Sequence, residues 1–322
     1  MLAALGAAAL LVQGCLAPHG PMTSAGVRMP PRGHYVDVGG RSLRLVCEGP
    51  QGAGPTVILE AGAFGFSADW AVVQSRLAAQ GVRSCAYDRA GLGYSDPGPQ
   101  PRDGLAAAED LETLLVAADI PPPYVLVGHS MAGVRIWLFS ARNPDKTLGL
   151  VFVDAATPDM ISRPESDPLL HSFSALSKLA GVGASVGVLK ALDFMGDAIG
   201  LPPEAAAEKR WAFGDPRHNQ VSAQEVQHWR KAAQQALAAG DLDPDLPVAV
   251  ITAGHGEAGP WRKIYAEPAA RARHGYVADV TGANHANLLG SRYAEEVVKG
   301  IDFVLAAAHD RGQASAGRQA GG

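Results

Sequence analysis

The feature that most constrains the fold of this chain is the segment Tyr124–Gly133, which reads YVLVGHSMAG. An apolar run typical of a β-strand meets a short turn of small residues at Ser130, and a helical apolar pattern starts directly after it. Serine is a poor nucleophile, but a sharp strand-to-helix turn can present its hydroxyl to a histidine that takes the proton. Gly128 and Ala132 are small enough for the strand and helix to pack closely, although glycine is usual at both places. Ser130 is therefore a candidate nucleophile.

The stretch Gly183–Gly187 also fits this pattern, with Ser185 at its centre and glycine at both flanking positions. No strand-like run precedes it, and small residues on an amphipathic helix explain it. We therefore reject Ser185 and retain Ser130.

Composition limits the classes of function. The chain has 322 residues, of which 47% are hydrophobic, so one large α/β domain with a full core is possible. The net charge of −5 and the lack of a basic block argue against a nucleic-acid partner. No metal-ligand spacing and no phosphate-binding loop are visible, so we expect no cofactor and no metal.

The two ends of the chain differ from its middle. Residues 1–15 form an apolar run that suits a signal peptide and ends in LVQGC, which resembles a lipobox with Cys15 as the lipidated residue. Simple cleavage without lipidation remains open. Residues 16–32 then predict a flexible linker, and residues 309–322 predict a disordered tail. We expect an exported protein that is periplasmic, secreted or anchored to a membrane through Cys15.

Strand-like and helical patterns alternate along the rest of the chain. After an opening hairpin at Gly39-Gly40, this alternation predicts an α/β fold with a mostly parallel sheet of about eight strands and helices on both faces. The predicted strands are residues 34–38, 42–47, 56–61, 82–87, 124–128, 148–153, 248–252 and 276–280.

The interval 157–243 has helical patterns but no convincing strand. It follows the sixth strand, so we expect a helical cap over the carboxyl ends of the sheet, with the core formed by residues 33–156 and 244–308. The cap is rich in apolar residues, which favours a hydrophobic substrate group.

A serine nucleophile needs a base and an orienting acid. His285 is the best-placed histidine, because it lies in a loop just beyond the last predicted strand and can reach over the edge where Ser130 stands. His255 is a weaker candidate. His129 is next to Ser130 in sequence, but we expect its side chain to point elsewhere.

Five segments follow one another along the chain: LEAGA at 59–63, YDRAGLGYSDP at 87–97, GHSMAG at 128–133, LVFVD at 150–154 and GANH at 282–285. In this order they resemble the α/β-hydrolase superfamily, and the resemblance covers residues 33–308. Within the superfamily, the chain is similar to the branch of serine esterases and lipases with a helical cap. Dehalogenases and epoxide hydrolases of the same superfamily use an aspartate nucleophile, and Ser130 argues against both.

The resemblance implies further site residues. The backbone N–H groups of Ala63 and Met131 would form an oxyanion hole. The acid of the triad would be Asp154, at the end of the strand after the nucleophile helix, or Glu257, in the loop after the penultimate strand. We favour Asp154, because it ends a strongly apolar strand and Glu257 lies among glycines. Asp88 and Arg89 are expected to brace the sheet edge without taking part in the chemistry.

The strand order of that superfamily also makes the second and fourth strands neighbours. These strands carry Cys47 and Cys85, so the resemblance implies a disulfide between them, which would persist in an oxidising compartment.

The resulting hypothesis is a serine hydrolase that cleaves a small or hydrophobic carboxylic ester through an acyl-enzyme. Its expected partner is the small-molecule substrate, with membrane attachment only through Cys15. The alternatives are a perhydrolase or C–C bond hydrolase with the same triad, and a non-catalytic binding protein of the same fold.

Overall fold

An eight-stranded sheet forms the centre of the structure. The computed structural model describes residues 32–52, 54–185, 198–254 and 260–320. The sheet order is β1-β2-β4-β3-β5-β6-β7-β8, with β1 and β2 antiparallel to their neighbours and the other strands parallel. This arrangement confirms the predicted fold class. The strands are β1 His34–Asp37, β2 Ser42–Glu48, β3 Thr56–Glu60, β4 Ser84–Tyr87, β5 Tyr124–His129, β6 Thr147–Val153, β7 Val248–Thr252 and β8 Gly275–Asp279.

The helices cover both faces of this sheet, which is why β3 and β7 are buried along their whole length and read as continuous apolar runs. Successive side chains alternate between two cores, as Ile58 does with Val57 and Leu59. The helices are α1 Ala71–Ala79, α2 Gly104–Ala117, α3 Ala132–Arg142, α4 Pro158–Ser162, α5 Asp167–Ser185, α6 Pro203–Phe213, α7 Pro216–Gln227, α8 Trp229–Ala239, α9 Pro260–Arg271 and α10 Ala294–Ala320.

The described residues between β6 and β7 form the helices α4 to α8 and contain no strand. The last of these helices belongs to the main core, because the small side chains of Ala232, Ala233 and Ala236 in α8 pack among residues of α2 and α3. Residues 186–197, within the interval where the cap is predicted, lie outside the described part of the chain. The cap as a separate unit stays a prediction.

The chain after His309 differs from its prediction. We expected a disordered tail, whereas α10 continues to Ala320. Arg311 is part of the reason, because its Nη1 donates to the carbonyl oxygen of Asp245 at 2.9 Å. Alanine, glutamine and arginine also have high helix propensity, so the helix can extend beyond the core.

The predictions for the other end of the chain fall on residues 1–31, which lie outside the described residues. The signal peptide, the linker, the lipidation of Cys15 and export therefore stay predictions. Among the residues that the structure describes, none of the helices combines the length and the apolar character needed to cross a bilayer.

The expected disulfide between Cys47 and Cys85 is present in the structure. The two cysteines are directly paired residues of the antiparallel strands β2 and β4, and their Cα atoms are 4.0 Å apart. Such a bond is compatible with an exported protein.

Thiol counting tests this bond. Denatured, unreduced protein is expected to show no free thiol from Cys47 or Cys85, and two after reduction. Because the bond closes a loop with a sequence separation of 38 residues, the Cys47→Ser/Cys85→Ser variant should lose about 3–4 kcal/mol of unfolding free energy. Two free thiols in the unreduced protein would contradict the bond.

Candidate active site

The turn between β5 and α3 places Ser130 in a conformation that few non-glycine residues adopt. Its φ angle is 59°, in the left-handed region. Backbone hydrogen bonds fix the turn, since Ser130 donates to Val153 and its own carbonyl accepts from Gly133 and Ala156. A Cβ atom on Gly128 would lie 2.9 Å from the backbone of Ala132, so only glycine fits there. The strain at Ser130 is held by the elements on both sides of it.

Asp154 lies at the end of β6, next to this turn. Its side chain is buried, with only 3% exposed, and it adopts a φ angle of 42°. Its Oδ1 accepts from the N–H of Ala253 at 3.1 Å, and its Oδ2 lies 2.6 Å from Nδ1 of His285. The carboxylate is therefore fixed by the backbone and directed at one ring nitrogen. Glu257, the other acid candidate, and His255 both lie in residues 255–259, outside the described part of the chain.

His285 lies in the loop between β8 and α10. The side chain of Asn284 accepts hydrogen bonds from Ala286 and Asn287, and the side chain of Asn287 accepts one from Asn284. These bonds hold the loop while the imidazole stays 53% exposed. With Nδ1–H donating to Asp154, Nε2 of a neutral imidazole is left as an acceptor for a proton.

His129 connects the histidine loop to the serine turn. Its Nε2 lies 2.9 Å from the carbonyl oxygen of His285, and the two imidazole rings are 4.6 Å apart. The expectation that His129 points away from the site is therefore not met. Burial, followed by the neighbouring His285, lowers the pKa of His129 well below its ordinary value. The neutral ring donates its Nε2–H to His285, which places the His285 loop beside Ser130.

The loop after β3 passes directly over Ser130. A Cβ atom on Gly62 would lie 2.7 Å from Cβ and 3.3 Å from Oγ of Ser130, so this close approach requires glycine. Within the described residues, the backbone N–H groups of Ala63 and Met131 have no hydrogen-bond partner. Both are thus available to an oxygen atom bound near Ser130. We call residues 61–65 the oxyanion loop.

Two buried arginines hold the first carbonyl groups of the oxyanion loop. Arg89 donates to the carbonyl oxygens of Ala61 and Gly62, and Arg135 also donates to Ala61. Both guanidinium groups pair with Glu60, which ends β3. Arg89 thus braces this loop as well as the sheet edge.

Residues of helices α6 and α7 hold the last part of the same loop. The carbonyl oxygen of Phe64 accepts from Nζ of Lys209 at 2.8 Å and lies 3.2 Å from Nε2 of His218. Phe64 has a φ of 56°, so these contacts hold another strained residue. Sequence reasoning missed Lys209 and His218, because they lie about 150 positions from Phe64 and no local pattern marks them.

The tautomer of His218 follows from its partners. Its Nδ1 accepts from the backbone N–H of Gly93 at 3.0 Å, so the proton is on Nε2, which donates to Phe64. Burial, and next the charge of Lys209, lowers the pKa of His218 to about 3. Protonation of His218 would place an N–H group on Nδ1 that faces the backbone N–H of Gly93.

Acid should therefore destabilise the fold through His218. Between the ordinary histidine pKa of about 6.5 and the folded value of about 3, the unfolded chain binds a proton here that the folded chain does not, so stability falls as the pH falls. His218→Gln keeps an acceptor and a donor but does not titrate. Urea unfolding at pH 7 and pH 5 should show that this variant loses about 2 kcal/mol less stability than the wild type, because the effect of about 1.4 kcal/mol per pH unit applies only below about pH 6.5. Equal losses would show that His218 does not contribute.

Comparison with known proteins places this site in a family. The family model described as the alpha/beta hydrolase fold matches residues 55–290, which is most of the chain. The chain belongs to the α/β-hydrolase family. The resemblance seen in the sequence is thereby confirmed, and membership supports an enzyme of the hydrolase class.

One curated relative of this α/β hydrolase agrees with that assignment. The chain is 35% identical over 137 residues to an AB hydrolase superfamily protein of Gibberella zeae, covering 40% of this chain and 41% of that one. It spans less than half the length of the curated relatives that it matches.

Solved structures show the same fold at low identity. A candidate epoxide hydrolase of Pseudomonas aeruginosa superposes with a TM-score of 0.68 at 19% identity, covering 88% of this chain and 99% of that chain. A thermophilic esterase of Thermogutta terrifontis superposes with a TM-score of 0.62 at 18% identity, covering 87% and 100%.

Proposed function

We propose that this protein is a serine hydrolase that cleaves a small or hydrophobic carboxylic ester through an acyl-enzyme. The observation that carries the proposal is the 2.6 Å contact between Asp154 and Nδ1 of His285, on a loop that His129 ties to the Ser130 turn. In this reading Ser130 is the nucleophile, His285 the base and Asp154 the orienting acid.

The reaction follows from these roles. Oγ of Ser130 attacks the ester carbonyl as Nε2 of His285 takes its proton, and Asp154 stabilises the imidazolium that forms. The negative oxygen of the tetrahedral intermediate accepts hydrogen bonds from Ala63 and Met131, each worth about 3 kcal/mol in barrier height. His285 then gives its proton to the leaving alcohol. His285 next takes a proton from water, which attacks the acyl group, and returns that proton to Oγ of Ser130 as the bond to the acid breaks.

The identity of the nucleophile supports ester cleavage within a family that carries out several reactions. A serine forms an ester with the acyl group, which water can hydrolyse in a second step. The superposed esterase of Thermogutta terrifontis is consistent with this chemistry on the same fold.

Labelling with a fluorophosphonate tests the proposal directly, because this reagent reacts with an activated serine hydroxyl. We expect one label per chain, found by peptide mass spectrometry at Ser130 and absent from Ser130→Ala. A chain-length series of p-nitrophenyl esters would then define the acyl group that is accepted. An unlabelled wild type would favour a non-catalytic binding protein. Labelling without ester turnover would favour a C–C bond hydrolase or perhydrolase.

His285→Ala should remove most of the ester hydrolysis, because Ser130 then loses the group that takes its proton. General acid–base catalysis contributes roughly 10²–10⁴-fold, and we expect a loss at the upper end of that range or beyond it, since the imidazole acts in both steps. The measurement is kcat/KM for a p-nitrophenyl ester. His274→Ala, at an exposed histidine before β8, is the matched control and should retain activity. Near-normal turnover by His285→Ala would instead favour His255.

A further inference from the structure

The orientation of one oxyanion donor depends on a single peptide unit. The N–H of Ala63 and the carbonyl of Gly62 belong to the same planar trans peptide, so they point in opposite directions. Nη2 of Arg89 donates to the Gly62 oxygen at 2.9 Å, and the N–H of Gly65 lies at 3.2 Å from it. A group that fixes the position of the Gly62 oxygen therefore also sets the direction of the Ala63 N–H.

Arg89 is itself held in a fixed orientation. Its Nε and Nη2 face the two carboxylate oxygens of Glu225 at distances from 2.8 to 3.1 Å, and its Nη1 donates to Glu60 at 3.1 Å and to Ala61 at 2.7 Å. The guanidinium is a rigid planar fork, so these bonds leave it one orientation. Its side chain is 2% exposed and that of Glu225 is 6% exposed. Glu225 comes from helix α7, between β6 and β7.

We propose that Arg89 is a positioning residue of the oxyanion hole, which directs the Ala63 N–H at the reacting oxygen through the Gly62 carbonyl and is kept in place by Glu225. This inference rests on the proposed function. It makes α7 part of the catalytic framework, because the bidentate Glu225–Arg89 pair connects that helix to the peptide that carries the donor.

The charge state of Glu225 suits this role. Burial alone would raise its pKa, but the charges of Arg89 and Arg135 outweigh burial and lower the pKa below its ordinary value. The carboxylate therefore stays ionised and keeps both oxygens available as acceptors for Arg89.

Arg135 offers a matched control, because it belongs to the same buried network but contacts a different peptide. It donates to the carbonyl oxygen of Ala61 at 2.6 Å and to Glu60 at 2.8 Å, and its side chain is 8% exposed. If Arg135 is replaced, the Ala61 carbonyl and Glu60 both keep Arg89 as a donor.

The test compares Arg89→Lys with Arg135→Lys. The ammonium group of a lysine cannot contact Glu225, Glu60 and Gly62 at the same time. The Gly62–Ala63 peptide therefore loses the donor that fixes its orientation. For a p-nitrophenyl ester, Arg89→Lys should lower kcat about 10–100-fold and change KM by less than about twofold. This decrease in kcat is somewhat smaller than the decrease expected when an oxyanion donor is removed altogether. Binding of an alkylboronic acid, which forms a tetrahedral adduct on serine, should weaken by the same factor. Arg135→Lys, at a residue that holds the neighbouring Ala61 carbonyl, should also lower both quantities, but by a factor about three or more times smaller than that of Arg89→Lys.

A merely structural role for Arg89 predicts another pattern, in which both variants lose thermal stability while kcat and boronic acid affinity remain normal in the folded fraction. That result would overturn the proposal, as would equal losses of kcat in the two variants. If Arg89→Lys does not fold, the variant Glu225→Gln tests the positioning role of Arg89 instead, because it removes one of the two carboxylate oxygens that orient the guanidinium. It should lower kcat and boronic acid affinity together by about 3–10-fold, and unchanged values would overturn the proposal. A wild type that fluorophosphonate does not label would overturn the proposed function itself.

Discussion

Replacing Ser130 with alanine is expected to reduce ester hydrolysis by roughly 10⁴–10⁶-fold in kcat and to leave the fold intact. In the proposed mechanism, the substitution removes the atom that bonds to the acyl group, so the remaining activity would come from binding and oxyanion stabilisation alone. The free energy of unfolding should stay the same or increase slightly, because alanine can adopt the same backbone conformation and has no hydroxyl group to accommodate. The measurement is kcat for a p-nitrophenyl ester, together with the thermal unfolding midpoint of each variant.

Ser185→Ala is the matched control for this prediction. Ser185 satisfies the same five-residue pattern, but it lies in helix α5 and follows no strand. Its replacement should leave kcat within about twofold, because a residue outside the reacting groups makes no interaction with the transition state. Loss of activity in Ser185→Ala, with activity kept in Ser130→Ala, would mean that the nucleophile was assigned to the wrong turn.

Asp154→Asn is expected to cost roughly 10⁴-fold in kcat, by analogy with the same change in a serine-protease triad. Oδ1 of Asp154 accepts a hydrogen bond from the N–H of Ala253, so an asparagine would place its amide oxygen there. Its NH₂ group would then face Nδ1 of His285 and favour the tautomer with the proton on Nε2. That tautomer cannot take the proton of Ser130. Steady-state kinetics at neutral pH measure the loss.

Glu257→Gln serves as the control for the choice of acid. If Asp154 orients His285, this variant should keep kcat within about threefold of the wild type, because its own carboxylate has no role in the reaction. A large loss in Glu257→Gln, with a small one in Asp154→Asn, would assign the acid to the loop after β7.

Local sequence patterns were sufficient for the sheet, for a physical reason. Strands β3, β5, β6 and β7 are covered on both faces, so they must be apolar along their length, and such runs are visible in the sequence without any knowledge of the contacts. The turn at Ser130 is similarly local, because strand, turn and helix follow one another within ten residues. The expected disulfide depended on the strand order that the resemblance supplied.

Predictions from local patterns were wrong where the structure of a residue depends on a contact with a residue far along the chain. The tail after His309 has a polar, glycine-containing composition, but Arg311 of α10 meets Asp245, and the helix continues. His129 was expected to point elsewhere, since nothing near it in sequence indicates that the carbonyl group of His285 will be its acceptor.

The fold class, the strands and the candidates Ser130 and His285 could be predicted from the sequence, because each depends on periodicity or on a position relative to a strand end. The contact of Asp154 with His285, 131 residues away, and that of Glu225 with Arg89, 136 residues away, became visible in the folded chain. These pairs lie on different elements, and their approach depends on how the sheet and the helices of α4 to α8 pack. A carboxylate and its partner leave no periodic signal in the sequence. Their attraction becomes strong only when the folded chain has removed both groups from water.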